Sequence, residues 1–446
     1  MVDITTADFF SDPALADDPY PYFDQLRSRC PVHPIAMPRV MAVTGYEEAI
    51  EVYRDPEVFS ACNSVAGPFP PLEGQPAGDD ISDYVEQNRE HWFFFEYLIT
   101  MDGGAHEKER GLLRRIMTPR RLRENAEAMS AIADQCLLEG VRAGACEVIA
   151  DYSRPFTTLV IADLLGMPDE DRVNLRMSNF NAKVVGALGS SETIETNLLQ
   201  YCEDRFLEYV VDRRANPRDD VLTQLANATY PDASTPEPDV VVRLASFLFG
   251  AGQDTTARLI GSALRIIAED QELQSKLRAD TTLIPAFIEE TLRLESPTKS
   301  DFRFTKTAVN LGGVDVPPGT TMMVHPGACN RDTRKFENPD EFDLDRERPS
   351  CSAACPSSTC CSPHRRSDDH DLTTVESHRG RGSLRRPRPV CRVSSRRLRY
   401  RRRRPRHLGR ASSGRHREVG PRRDRGLSSS GDQHLHIALK SYDCDT

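Results

Sequence analysis

From residue 104 to Leu294, apolar residues recur at spacings of three and four, the period of helices that bury one face. Ahead of that run, Pro31-Val32-His33-Pro34-Ile35 and Met41-Ala42-Val43-Thr44 read as two short strands. Gly45-Tyr46-Glu47-Glu48-Ala49-Ile50-Glu51-Val52 then opens an amphipathic helix. Residues 63–80 form an irregular loop, with five Pro or Gly between Gly67 and Gly74. Beyond the helical run, a β-rich stretch extends from Phe302 to Val324, turning at Leu311-Gly312-Gly313 and Pro317-Pro318-Gly319. The pattern predicts a mostly α architecture with a smaller β portion and no internal repeat.

Asp239 to Asp270 carries the most information. Asp239 suits an N-cap, and Val240 to Phe249 is apolar almost all round, which predicts a helix buried on every side. About 30 helical residues span roughly 45 Å, the width of a domain. In the middle sits Gly250-Ala251-Gly252-Gln253-Asp254-Thr255-Thr256. Each glycine costs about 1 kcal/mol against alanine in a helix, and a buried carboxylate needs partners. Such a string builds either a site or a kink or close crossing of helices.

Glu290-Thr291-Leu292-Arg293 begins 36 residues after Asp254 and places Glu and Arg on one helix face, as a surface ion pair also would. His106-Glu107-Lys108-Glu109-Arg110, with Arg114 and Arg115, reads alone as a solvated basic face. Arg303 lies in the strand after the Glu290 helix. Asn330-Arg331-Asp332 and Phe336-Glu337-Asn338-Pro339 to Arg346 follow, and Asp18-Pro19-Tyr20-Pro21-Tyr22-Phe23 opens the chain.

In this order, the segments resemble a soluble, bacterial-type cytochrome P-450, a haem-thiolate monooxygenase, over roughly residues 10–349. The Gly250 to Thr256 string matches that family's distal-helix signature without a mismatch. The resemblance implies the family's fold, with haem b as cofactor and dioxygen as co-substrate. By it, Asp254 would relay protons from solvent and Thr255 would hydrogen-bond at the oxygen site, so that the distal oxygen leaves as water. His106, Arg110 and Arg303 would bind the haem propionates. Glu290 and Arg293 would anchor the core beneath the haem. A ferredoxin or flavoprotein would deliver electrons from NAD(P)H, since the chain has no flavin or iron–sulfur motif of its own. The substrate would be an apolar small molecule.

Charge then divides the chain. Residues 1–350 carry 35 Lys and Arg against 59 Asp and Glu, while residues 351–446 carry 23 against 9. The second part has no Phe, Met or Trp, and only 12 of its 96 residues are Leu, Ile or Val. So little apolar surface does not offset ordering entropy, and residues 350–446 are expected to be a disordered Arg/Ser-rich tail after a 1–349 domain. Its composition, with the run Arg401-Arg402-Arg403-Arg404, reads as out-of-frame translation of a GC-rich gene, the other reading being a natural basic tail.

The family's Phe-x-x-Gly-x-x-x-Cys-x-Gly loop should follow Arg346, because a cysteine thiolate is the iron ligand. It is absent. The usual interval lands near Cys360 and Cys361, which have no flanking glycine, so the metal ligand stays unassigned. Cys351, Cys355, Cys360, Cys361 and His364 invite a zinc reading, but their spacing matches no paired-ligand pattern. An Arg run could hold nucleic acid or an acidic membrane non-specifically, and no specific nucleic-acid motif accompanies it. Six scattered cysteines before residue 350 suit reduced thiols. No signal peptide and no spanning run appear, which predicts a cytoplasmic protein. His91-Trp92-Phe93-Phe94-Phe95-Glu96-Tyr97 either lines a substrate pocket or packs in the core.

Three functions follow: a haem monooxygenase; a truncated or frameshifted product that cannot bind haem; or a basic-tailed binding protein on a degenerate scaffold. Sequencing the coding DNA separates them. A second frame after codon 349 is expected to spell the missing haem loop. If no frame does, the natural-tail reading gains.

Overall fold

The computed structural model describes residues 7–65, 67–68, 78–142, 145–172, 197–346 and 436–438. The tail expected from residue 350 therefore lies outside the described residues, except His436–Ala438, which pairs antiparallel with Ala145–Glu147.

The described residues are mostly helical, with a small sheet as the alternation predicts. Its order is β1 (Val32–Pro34), β2 (Val40–Val43), β8 (Thr321–Val324), β5 (Asp301–Thr305), β3 (Phe59–Ser60). The one parallel pair, β2 with β8, sets Met41 opposite Met322. All four β8 residues are buried, as in a strand covered on both faces. Val309–Leu311 and Val314–Val316 form the hairpin read from Leu311-Gly312-Gly313. Its two glycines have φ of 60° and 84°, the positive pair that a two-residue type I′ turn requires.

A larger helical core packs around the Pro238–Glu269 helix, the central helix. Val241, Leu244, Ala245 and Phe249 bury against the Asn197–Ala215 and Arg154–Leu164 helices, with Phe206 edge-on to Phe249 at 6.1 Å. The helix starts earlier than expected. Glu237 takes the N-cap position and Pro238 the first turn, while Asp239 falls inside that turn. Proline wins there because its missing N–H costs nothing at a helix start.

Glu290 and Arg293, on the Ile284–Leu294 helix, are both buried, which rejects the surface-pair reading. Arg293 donates from Nε to Glu290 at 2.9 Å and from Nη2 at 2.8 Å. Its remaining N–H groups reach the carbonyls of Asn330 at 2.9 Å, Pro339 at 2.7 Å and Glu341 at 3.0 Å. Glu290 also accepts from the Asp343 backbone N–H at 3.1 Å and from Arg346 Nε at 3.0 Å. Arg346 then donates to the carbonyls of Glu337, Asn338 and Glu341. One carboxylate and two guanidiniums thus fold the 330–346 segment onto the helix.

Burial would raise the Glu290 carboxyl, but hydrogen bonds from Arg293, Asp343 and Arg346 outweigh it and hold it below the ordinary glutamate value. A depressed carboxylate stabilises the fold above its unfolded pKa and loses that contribution as pH falls through the folded value. Glu290→Gln is expected to cost about 3–5 kcal/mol at neutral pH, because it leaves buried cations uncompensated. Denaturant unfolding checks this, and the gap from wild type should narrow below the ordinary value of 4.5.

Candidate active site on the central helix

The central helix runs unbroken through Gly250 to Thr256. Thr255 Oγ1 donates to the Ala251 carbonyl one turn back at 2.8 Å, so the hydroxyl is satisfied without breaking the helix. The two glycines do not serve a close crossing among the described residues. A Cβ at Gly250 would meet nothing within 4 Å, and one at Gly252 would touch only Ile161 at 3.8 Å. The tight approach lies further along, where a Cβ on Gly261 would come within 2.3 Å of Ile149.

The burial expected of Val240 to Phe249, none of which is exposed, does not continue into the glycine-containing string. Ala251 and Thr256 are exposed among the described residues, while Phe249 and Ala257 are buried. Average hydrophobicity cannot distinguish small residues packed in a core from small residues beside open space. Asp254 keeps 17% of its side-chain surface. Arg258, one turn on, donates from Nε to its carboxylate at 2.7 Å, and Arg154 approaches at 3.8 Å. The sequence reading missed both arginines. The i, i+4 spacing of Arg258 was a usable signal, whereas Arg154 arrives only through tertiary packing.

His106 and Arg110 sit one turn apart on the Gly103–Ile116 helix. Asp102, at the N-cap of that helix, accepts from Ser60 Oγ and, at 2.7 Å, from the Ala61 N–H, tying the helix to β3. Burial lowers the His106 pKa, and the Arg110 charge adds to this against Asp102 and Glu107, with Arg303 contributing too. The imidazole is therefore neutral near pH 7, in electrostatic reach of both arginines. Arg303 lies over the Tyr53 ring at 5.2 Å and donates to Ser64 Oγ at 2.8 Å, the Phe302 carbonyl at 2.7 Å and Asp301 at 2.9 Å. Asp301, Tyr53 and Ser64 are further neighbours that the sequence did not flag. His106, Arg110 and Arg303 thus form one donor-rich region that suits a ligand carrying carboxylates.

The two readings of the aromatic segment from His91 to Tyr97, pocket lining and core packing, divide between its residues. Trp92 is 2% exposed and packs on Phe304, so it is core. Phe93, Phe94 and Phe95 are only partly buried, and Phe94 holds a positive φ of 58° while Thr100 Oγ1 donates to its carbonyl at 2.5 Å.

Cys360, Cys361 and the Cys351 to His364 cluster lie outside the described residues. Cys30, Cys62, Cys136, Cys146, Cys202 and Cys329 form no disulfide among the described residues. Burial pushes Cys62 and Cys202 up to about 12, so neither offers a thiolate at neutral pH. No group of three or more metal-ligating side chains occurs among the described residues. The open space beside Gly250 and the donors around Arg303 suit a haem, whereas neither Cys62 nor Cys202 offers it a thiolate.

A family model described as Cytochrome P-450 matches residues 192–349. Cytochrome P-450 144 of Mycobacterium tuberculosis is 30% identical over 340 residues, covering 74% of each chain. Cyclomarin C epoxidase CymV of Salinispora arenicola is 30% identical over 331 residues, 72% of this chain and 78% of the relative. The solved structure of Mycobacterium marinum cytochrome P-450 CYP150A6 in its substrate-free form superposes with a TM-score of 0.71 at 49% identity, covering 77% of this chain and 81% of that one. At that identity and span, the chain belongs to the cytochrome P-450 family of haem-dependent monooxygenases.

Proposed function

We propose that the gene encodes a monooxygenase that inserts one oxygen atom of dioxygen into an apolar small molecule, with the other reduced to water. The observation that carries this reading is the pairing of Asp254 and Thr255 on a helix whose Gly250 faces open space. Haem, when bound, supplies the iron at which dioxygen is activated, and its electrons come from NAD(P)H through a partner protein. His106, Arg110 and Arg303 are the residues that would hold its propionates.

The remaining chemistry belongs to the side chains. Thr255 Oγ1 donates its hydrogen bond to the Ala251 carbonyl, which leaves its lone pairs free to accept from a donor in the open space beside Gly250. Asp254 pairs with Arg258 and faces Arg154, and it is partly open to solvent. Rotation away from Arg258 carries a proton from solvent toward Thr255. Phe93 and Phe94, only partly buried, are proposed to line the substrate pocket.

Residues 1–349 form the catalytic scaffold in this proposal, and residues 350–446 are out-of-frame sequence. The alternative function, a truncated product that cannot bind haem, therefore applies to the chain as written, on the observation that no Phe-x-x-Gly-x-x-x-Cys-x-Gly loop follows Arg346. A ferredoxin or flavoprotein is the electron donor proposed, and a cytoplasmic location is proposed with it. Among the described residues no helix is long and apolar enough to cross a membrane.

Turnover of the haem-loaded protein with the haem loop restored after Arg346, under isotopically labelled dioxygen, tests the reaction class. One labelled atom in product and one in water is expected, and label only in water or peroxide contradicts it. Thr255→Ala should leave stability within about 0.5 kcal/mol of wild type yet lower product formed per NAD(P)H oxidised, while Thr255→Ser retains the yield. Asp254→Asn should lower kcat by about 10²-fold, with a larger solvent isotope effect. Unchanged coupling in Thr255→Ala would remove that residue from the relay.

A further inference from the structure

Away from the Asp254 groove, three carboxylates gather around one guanidinium. Arg243 comes from the central helix, in an otherwise apolar stretch, and only 20% of its side chain is exposed. Glu96 of the aromatic loop contacts Arg243 Nη1 at 3.5 Å and is half-exposed. The next residue, Tyr97, donates its hydroxyl to Glu203 on the Asn197–Ala215 helix. Glu109, on the Gly103–Ile116 helix, lies in the field of both Arg243 and Glu96. Two atoms of the group are buried without a partner, Arg243 Nε and Glu109 Oε2.

We infer that this cluster is a proton-linked latch in which Arg243 positions the 92–97 loop by holding Glu96, and from which ionisation of Glu109 and Glu203 releases it. The charge count supplies the mechanism. With Glu109 and Glu203 protonated, Arg243 faces Glu96 as its one anion. With both ionised, a single cation is shared by three carboxylates in a half-buried setting where their mutual repulsion is weakly screened. The least anchored of the three gives way, and that is Glu96, the most exposed and the one on a loop.

Other charges nearby do not cancel the excess. Asp204, beside Glu203, adds to it. Lys108 lies over the Tyr230 ring at 4.0 Å and partly offsets Glu109, while Asp232 acts against Lys108. Burial first, then Glu96, raises the Glu109 carboxyl in spite of Arg243 and Lys108. Burial first, then Asp204 and Glu96, raises Glu203 in spite of Arg243. Both carboxyls therefore release their protons above the ordinary value of 4.5. The sign is set: the loop is held at lower pH and freed as pH rises.

The consequence for ligand entry rests on the loop flanking the active site, but the latch itself does not depend on haem. Trp92, the one tryptophan in the chain, anchors the start of the loop against Phe304. Acrylamide quenching of Trp92 in the full-length protein, from about pH 4 to pH 8, brackets the glutamate range, with circular dichroism confirming a constant fold. Wild type should become more quenchable with a midpoint above 4.5. Glu109→Gln with Glu203→Gln should lose that transition and stay at the low-pH level. Glu96→Gln, at the exposed end and safe for folding, should lose it at the high-pH level instead. His91 also neighbours Trp92, and the glutamine variants separate its contribution. A flat wild-type curve, or one unchanged by the Glu109 and Glu203 substitutions, overturns the latch.

Discussion

Glu290 cannot be left alone in the core. A buried carboxylate is tolerated only when it is paired and its lone pairs are filled, and here that demand organises the chain for more than 50 residues. Arg293 satisfies it from one turn away, and Arg346 satisfies it from the far end of the 330–346 segment. Each guanidinium then spends its spare N–H groups on the backbone carbonyls of that segment. The irregular stretch after β8 is thus held by ionic hydrogen bonds in place of a ladder. Arg331 and Asp332 continue the pattern, Arg331 through the Leu294 carbonyl and the Tyr20 ring, and Asp332 through the Tyr46 N–H and Arg334. This network delivers the chain, at Arg346, to the point where the family's haem loop begins.

The central helix answers a different constraint. It must be rigid enough to cross the domain and small enough at one point to leave room beside it. Its first half meets the first demand through Val241, Leu244 and Phe249. Gly250 and Gly252 meet the second, and Thr255 repairs the local polarity by bonding back to Ala251. The glycine that faces open space, Gly250, and the glycine that accommodates a neighbouring helix, Gly261, are different residues. Sequence alone does not distinguish them, because both read as a low-propensity residue in an apolar run.

What was legible follows from locality. Strand and helix positions, the Gly312-Gly313 turn and the Glu290–Arg293 pair depend on periods or spacings of a few residues, and they were readable. The true start of the central helix was also local, but Asp239 outweighed the Pro238 signal in the reading. Arg346 closing on Glu290, Arg154 beside Asp254, and Asp102 gripping Ser60 and Ala61 span tens of residues or more, and no pattern along the chain announces them. Exposure was the hardest quantity to infer. Ala251 and Thr256 lie on the same helix just after the apolar run from Val240 to Phe249 and are exposed, since burial depends on what packs opposite rather than on the residue itself.

In the function proposed, residues 1–349 are a haem scaffold with Asp254 and Thr255 on the distal side and His106, Arg110 and Arg303 toward the propionates, and residues 350–446 do not supply the thiolate. The carbon-monoxide difference spectrum of the reduced chain as written, purified from haem-supplemented cells, tests this directly. The absence of a thiolate-type Soret band is predicted, with the band appearing when the haem loop is restored after Arg346. A thiolate-type band from the chain as written would contradict the account, for it would mean that Cys360, Cys361 or another tail cysteine already reaches the iron.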